Sequence, residues 1–435
     1  MIEVDIESLA YGGDGVGRLP DGRTVFVALS APGDRVAIEV VEERDRFVRA
    51  KAVEVTRASG DRVDAPCRYF GLCGGCSWQH VSAAAQLEAK RRSVTDALTR
   101  IGRIEDAADL VAPTLSAGPR YGYRNKIELV HDASSSRPAI GFHRAHSDQV
   151  VRVEECLLLP KRHSKAPKAL SGALRYLAGD GDLGLRRVGL RCGANTRDVE
   201  IALWTEPGPF PRAAAARTLG QALQSTSLVR VLTKGPSKER RVSGVEVLSG
   251  KGHWKERLGG FTFAVSAPSF FQVNTPAAEA LVALVMDELA PDGSDRALDL
   301  YAGAGTFTLP LAAAAGEVVS IEAAGSAVRD LRRNLEANAS WSDVIGGDAA
   351  REIAALGYFD VVVVDPPRSG LDAAVIAALA SNRPRKLAYV SCDPTTLARD
   401  AARLIDEGYR LTSATPVDLF PQTYHVETVA FFEPI

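Results

Sequence analysis

Near the start of the chain, apolar and polar residues alternate over stretches such as 2–6, 24–29, 35–41 and 48–55. A period of two sets one face of a strand against a core and the other in water. The intervening clusters YGGDGVGRLPDGR and SAPGD are rich in turn formers. Residues 1–58 are therefore predicted to form a small all-β unit of five short strands, suited to an OB-like barrel. The pattern then changes. An Ala-rich helical stretch over 82–103 leads into β-like pieces around 124–130 and 139–153, which predicts a mixed α+β domain over 59–265.

From about residue 266, short apolar runs bounded by turn residues alternate with helical stretches. The runs 296–300, 318–322, 359–365 and 386–391 read as buried strands, with helices predicted over 306–315, 324–338, 371–380 and 394–408. Repeated strand–helix units predict a Rossmann-like, doubly wound parallel sheet over 266–435, whose ligands lie at the carboxyl ends of the strands. The expected fold class is thus multi-domain α/β.

Composition narrows the class. The 435 residues are 46% hydrophobic and 24% charged, which excludes disordered and fibrous chains. No apolar run approaches the roughly 18 residues of a membrane span. The N-terminal MIEVDIESLA lacks the basic start and apolar centre of a signal peptide, so a cytoplasmic protein, expected to be monomeric, is predicted. The formal net charge of −2 argues against a polyanionic partner until it is divided by region. Residues 1–60 carry 8 basic and 11 acidic side chains, 61–260 carry 32 and 20, and 261–435 carry 12 and 23. A basic middle beside an acidic C-terminal third points to contact with nucleic acid. The basic loop KGPSKERR at 234–241 reads equally as a solvated hairpin tip or an RNA contact.

The chemistry gathers after the strands. In DLYAGAGTFTLPLA, Gly303 and Gly305 lead directly into a helix and permit close approach of backbone to ligand, while Glu322 ends the next strand as an acid suited to a ribose diol. Spacing alone leaves a dinucleotide and a nucleoside cofactor open. The loop lacks a full GxGxxG and a phosphate-binding Lys-Ser/Thr pair, which favours S-adenosylmethionine. The third strand ends in Asp365-Pro366-Pro367-Arg368, a rigid turn of a kind that recurs in methyltransferases acting on bases. An aromatic after the prolines would suggest adenine and a cysteine cytosine; Arg368 favours uracil.

Cys392 ends the fourth strand immediately before a helix, where local positive potential favours the thiolate. Carbon 5 of uracil is too weakly nucleophilic to attack a methyl sulfonium unaided, and thiolate addition at carbon 6 makes an enolate that can. A general base must then remove the carbon-5 proton. Glu427 in QTYHVETVAFF is the candidate, with His425 as its competitor. Taken singly, a buried Cys or a strand Glu has a structural explanation, and the case rests on their joint occurrence with the cofactor loop and DPPR.

At this point a resemblance is explicit. Residues 1–58 resemble the TRAM domain of RNA-modifying enzymes through IESLAYGGDGVGR and the PGD turn. Residues 266–435 resemble the catalytic domain of the bacterial RNA uracil-5-methyltransferases through FFQVN, DLYAGAGTFTLPLA, DPPRSG, YVSCDPTTLARD and DLFPQTYHVETV. The resemblance implies S-adenosylmethionine-dependent methylation of carbon 5 of a specific uridine in structured RNA, through a covalent cysteine–uracil adduct. It implies that Gln272, Tyr301, Thr306, Glu322, Asp348 and Asp365 line the S-adenosylmethionine site, that Cys392 is the nucleophile and that Glu427 accepts the proton. The alternatives are methylation of another base such as cytosine, and a non-catalytic RNA-binding or iron–sulfur-sensing protein on the same fold. Two positions depart from the family: Thr306 stands where many members have Asn, and Asp393 where most have Asn. Asp393 puts a negative charge beside Cys392 that opposes thiolate formation.

Cys67, Cys73 and Cys76 are spaced C-x5-C-x2-C, with Cys156 80 residues beyond Cys76. Such spacing lets one loop wrap a metal, structural zinc included. By the resemblance, the ribosomal-RNA members of the family hold a four-iron, four-sulfur (4Fe-4S) cluster with this spacing, so the cluster comes first, zinc second and unligated thiols last. The same feature puts 23S ribosomal RNA ahead of transfer RNA as the expected partner. Cys192 is left over and reads as structural.

Overall fold

A computed structural model describes residues 2–132, 139–179, 181–235 and 241–435. The chain divides into two compact units. One takes the residues up to Ala117 together with Pro367–Gly370 and Val390–Phe432; the other takes Gly118–Pro366, Leu371–Tyr389 and Glu433–Ile435. No helix among the described residues is long and apolar enough to cross a membrane.

The first unit opens with a closed barrel of β1 (Ile2–Leu9), β2 (Gly15–Arg18), β3 (Thr24–Ala28), β4 (Arg35–Glu43) and β5 (Phe47–Arg57), in the order β1-β2-β3-β5-β4. Alternate residues point inward, so Val4, Ile6, Val25, Val27, Val36, Ile38 and Val48 form one apolar core. β2 lies inside the cluster read from sequence as turn, because its glycines meet neighbouring side chains directly. A Cβ on Gly15 would stand 2.1 Å from Ser30 Oγ, and one on Gly17 2.5 Å from Val4. After the cysteine loop, Ser82 caps α1 (Ala83–Arg100), and a short turn of helix, α2 (Ala107–Leu110), follows.

The second unit holds two sheets and a hairpin. In the first sheet are β6 (Lys126–His131), β7 (Ile140–His143), β8 (Val150–Val151), β9 (Leu185–Cys192), β10 (Val199–Thr205), β11 (Ser227–Lys234) and β12 (Arg241–Gly250), in the order β12-β11-β10-β9-β6-β7-β8. Residues 236–240 of the basic loop lie outside the described residues. Helices α3 (Ala166–Ala178) and α4 (Arg212–Leu223) pack on each other, and β13 (Trp254–Leu258) pairs with β14 (Phe261–Val265). Then α5 (Thr275–Leu289), capped by Asn274, precedes β15 (Arg296–Leu300), α6 (Thr308–Ala314), β16 (Glu317–Glu322), α7 (Gly325–Ala337), β17 (Asp343–Gly346), α8 (Ala349–Glu352), β18 (Val361–Val364), α9 (Ala373–Asn382) and β19 (Lys386–Ser391). These five strands are parallel in the order β17-β16-β15-β18-β19. Strand order reverses at β15, which marks the carboxyl ends of β15, β16 and β18 as the place for a ligand.

The last stretch of the first unit contains α10 (Pro394–Asp406), β20 (Tyr409–Val417) and most of β21 (Glu427–Pro434). The chain after α1 joins β20 through parallel bridges, Val111 with Ala414 and Leu115 with Val417. Helix α10 buries Leu397, Ala398, Ala401 and Leu404, a stripe at helical spacing.

Candidate active site

In the second unit the register of the parallel sheet sets three carboxylates, Glu322, Asp348 and Asp365, at the carboxyl ends of its strands. Leu300 pairs with Ile321 and Val364, and Glu322 pairs with Gly346, so Glu322 and Asp365 emerge at the ends of neighbouring strands. Asp348 follows β17 and caps α8 by accepting the Ala350 N–H at 3.0 Å. The loop after β15 turns on Tyr301, Gly303 and Gly305, with φ of 64°, 56° and 97°. Positive φ at a tyrosine costs on the order of 1 kcal/mol, a strain typical of ligand loops. Glu322 secures the turn: Oε2 accepts the Gly303 N–H at 2.8 Å and Oε1 accepts the Ala324 N–H at 2.6 Å. Thr306 lies between this turn and α6, half-buried.

Sequence reasoning missed Asp299, the penultimate residue of β15. It is fully buried and accepts the Thr308 hydroxyl at 2.6 Å, in a chain that continues through Ser320 to Ser342. Burial, aided by repulsion from Asp365 and Glu322, pushes its carboxyl up to about 7 against the pull of the Thr308 hydrogen bond. Burial raises Asp365 as well. An acid inside an otherwise apolar strand, ALDL, was the signal available.

Gln272 sits in the buried segment between β14 and α5. Arg191, itself buried, donates to the carbonyls of Ser266 at 2.9 Å and Ser269 at 2.5 Å. Asn125 donates its side-chain amide to the Gln272 carbonyl at 2.9 Å and its backbone N–H to the Val273 carbonyl at 2.8 Å. Asp330 and Asn334 on one face of α7, and Asn338 just past its end, accept backbone N–H groups of Ser266, Ala264 and Thr262, and Asn334 also donates to the Ala304 carbonyl at 2.9 Å. One helix face thus holds both β14 and the glycine turn.

In the first unit, Cys392 and Asp393 stand at the start of α10. Cys392, half-buried, stands between β19 and Asp393, the helix N-cap. Asp393 Oδ1 accepts the Thr395 N–H at 2.9 Å, the Thr395 hydroxyl at 2.6 Å and the Thr396 N–H at 3.2 Å. Partial burial alone would raise the Asp393 carboxyl; these hydrogen bonds outweigh it and hold the group below its usual range, as the helix end absorbs its charge. Asp393 therefore stays ionised beside Cys392, its charge offset in part by these donors. The same helix latches the turn after DPP: the Thr396 hydroxyl donates to the Arg368 carbonyl at 3.0 Å and Arg399 to the Ser369 carbonyl at 2.8 Å. Glu427 begins β21 and is buried. His425 lies two residues earlier, its ring centroid 4.3 Å from that of Tyr424.

The expected metal centre is not shown. Among the described residues no group of three or more His, Cys, Asp or Glu is placed to hold a metal ion. Cys67, Cys73 and Cys76 are half-buried on the loop between β5 and α1, where the Gly75 N–H points to Cys73 Sγ at 3.4 Å; Cys156 is half-buried in the second unit. Close sequence spacing alone thus does not show a 4Fe-4S cluster or zinc. Cys192 is buried in β9.

Comparison with known proteins agrees with the fold. Sequence profiles match for a TRAM domain over residues 1–53, for a methyltransferase small domain over 276–387, and for a tRNA (uracil-5-)-methyltransferase over 351–434, the stretch that carries DPPR, Cys392 and Glu427. An uncharacterized RNA methyltransferase of Thermosynechococcus vestitus is 38% identical, covering 99% of this chain and 97% of that protein. The chain belongs to the TRAM-domain RNA (uracil-5-)-methyltransferase family. The methyltransferase is also 33% identical to an uncharacterized RNA methyltransferase of Halalkalibacterium halodurans, covering 100% of this chain and 97% of the other. Its fold is similar to that of the Pyrococcus abyssi tRNA (uracil-54, C5)-methyltransferase, solved in complex with S-adenosyl-L-homocysteine. The TM-score is 0.78 at 27% identity, with 99% of this chain and 100% of that one covered.

Proposed function

We propose that this methyltransferase methylates carbon 5 of one uridine in a structured RNA, with Cys392 as nucleophile and Glu427 as base. The observation that carries the reading is the start of α10, where Cys392 adjoins a helix N-terminus whose cap, Asp393, spends its charge on three donors. A thiolate at that position is favoured by the helix end.

S-adenosylmethionine, when bound, supplies an electrophilic methyl group and leaves as S-adenosylhomocysteine. Gln272, Tyr301, Thr306, Glu322, Asp348 and Asp365 are proposed to hold it, the carboxylates suiting its cationic ammonium and sulfonium. Cys392 Sγ adds to carbon 6 of the uracil and the electron pair moves through carbon 5 onto the carbonyl. Carbon 5 takes the methyl, Glu427 removes its proton, and the returning pair expels the Cys392 thiolate and restores the double bond. The base must leave its stack for this, at roughly a few kcal/mol that contacts to the RNA offset.

Ribosomal RNA remains the proposed substrate on cysteine spacing, while similarity to the Pyrococcus abyssi enzyme favours transfer RNA as the second reading. Cys67, Cys73, Cys76 and Cys156 stay as candidate ligands only, and no step passes through a metal. Stoichiometric iron and sulfide in anaerobically purified protein would restore the cluster; zinc, or neither, would remove it. The function is tested with methyl-labelled cofactor and both RNA classes: label should appear as 5-methyluridine and vanish with Cys392→Ala. Label on cytosine or adenine, or undiminished in the variant, contradicts the reading.

A further inference from the structure

Within the first unit, the turn between β1 and β2 reaches the start of α10. Ala10 and Asp14 close the turn with a backbone hydrogen bond of 2.8 Å, and the Gly13 carbonyl accepts the indole N–H of buried Trp78 at 2.9 Å. Tyr11, at the tip, sets its ring edge-on to Tyr424, with centroids 5.5 Å apart at 87°. Its hydroxyl donates to Asp393 Oδ2 at 3.4 Å, across 382 positions of sequence. The two oxygens of Asp393 therefore divide their work. Oδ1 takes the donors of its own helix, and Oδ2 takes a donor from the barrel.

We propose that Tyr11 is a positioning residue for the nucleophile: its hydroxyl draws the charge of Asp393 away from Cys392 and makes thiol activation depend on the seating of the barrel turn. The inference rests on Cys392 being the nucleophile, as proposed above. An anion one residue from a thiol opposes thiolate formation, and each donor the carboxylate accepts weakens its field. The charged and titratable groups acting on the Tyr11 hydroxyl are Asp393, Arg368, Tyr424 and Cys392. Burial first, then the charge of Asp393, lifts its ionisation well above the ordinary tyrosine range, so it stays a donor throughout the working pH. The barrel then serves the chemistry as well as RNA affinity.

The test is Tyr11→Phe in the full-length protein, which keeps the ring and removes the hydroxyl. Three quantities are read: iodoacetamide alkylation of Cys392 against pH, followed by the mass of its peptide; the single-turnover methylation rate; and the RNA Kd. Alkylation and turnover at pH 7 should fall about 3- to 10-fold, with the pH midpoint moved up by about half to one unit and Kd unchanged. In an Asp393→Asn background, where the cap remains and the charge is gone, Tyr11→Phe should have no further effect. An unmoved pH midpoint, a loss appearing in Kd, or an equal loss in the Asp393→Asn background overturns the inference. If Tyr11→Phe does not fold, Asp393→Asn alone must raise Cys392 alkylation at pH 7 by a similar factor, and an unchanged rate overturns it. Alkylation needs no substrate, so failure here is distinct from failure of the methylation reading, which Cys392→Ala decides.

Discussion

Lys90 Nζ donates to Asp418 Oδ1 at 2.5 Å, and both side chains are almost wholly buried. Lys90 also donates to the Phe420 carbonyl at 3.0 Å. One turn earlier on α1, Gln86 exchanges hydrogen bonds of 3.1 Å with the side chain and backbone of Gln422. A single face of α1 thus fixes residues 418–422, the approach to Glu427.

Removing one member of this pair strands the other charge in the interior. Lys90→Ala should cost about 3–5 kcal/mol of stability, measured by urea unfolding. Lys90→Met with Asp418→Leu should recover most of that, because paired apolar replacements leave no unpaired charge. A double variant as unstable as the single one would show that the pair does more than neutralise itself.

Glu322 is expected to matter for the cofactor more than for RNA. It accepts two backbone N–H groups that shape the glycine turn, so Glu322→Ala removes the support of the loop along with the proposed ribose contact. Binding of S-adenosylhomocysteine, followed by calorimetry, should weaken roughly 10- to 100-fold, while RNA Kd stays unchanged.

Asp299 gives the stability a pH dependence. Its carboxyl rises from 3.8 to about 7 on folding, chiefly through burial. The protonated form is therefore the one folding favours: its contribution is full below about pH 4 and is lost as pH rises to about 7. Asp299→Asn keeps an acceptor for Thr308 and has no proton to lose. Its stability relative to the wild type should climb between pH 4 and 7 and then level off, by at most on the order of 4 kcal/mol. A difference that does not vary with pH, read from unfolding midpoints in a pH series, would place the titration elsewhere.

The elements most legible in the sequence were those whose signal is local. The barrel strands alternate, and β15 and β19 fall where short apolar runs placed them, because turn residues bound each run. β10 was not seen: all seven of its residues are buried, so it has no alternation to read. At the site, the glycine turn and the cysteine before a helix are local signatures. Arg191 with Ser269, Asn125 with Gln272 and Tyr11 with Asp393 are pairings across 78, 147 and 382 positions, which no window of sequence contains. Three short-spaced cysteines suggest a metal loop, but spacing alone does not set where the thiols point.

RNA affinity should fall steeply with salt, at least about 100-fold between 50 and 200 mM, since phosphate contacts release counterions. Part of the basic surplus in 61–260 is committed inside the protein: Lys126 and Arg187 pair with Glu128, and Arg212 and Arg230 with Glu246. Lys161 and Lys165 are exposed. Replacing both by Gln should lower the log–log salt slope by about two, whereas Arg351→Gln in the acidic third should leave it unchanged; fluorescence anisotropy with labelled RNA reads both.

The division of labour between Cys392 and Glu427 is tested most directly by Glu427→Gln incubated with RNA and S-adenosylmethionine. Addition and methyl transfer need no base, but release does, so a methylated RNA–protein adduct should accumulate, resist denaturing electrophoresis and map by mass spectrometry to Cys392. Free 5-methyluridine formed at the wild-type rate without an adduct, or an adduct on another residue, would contradict the account.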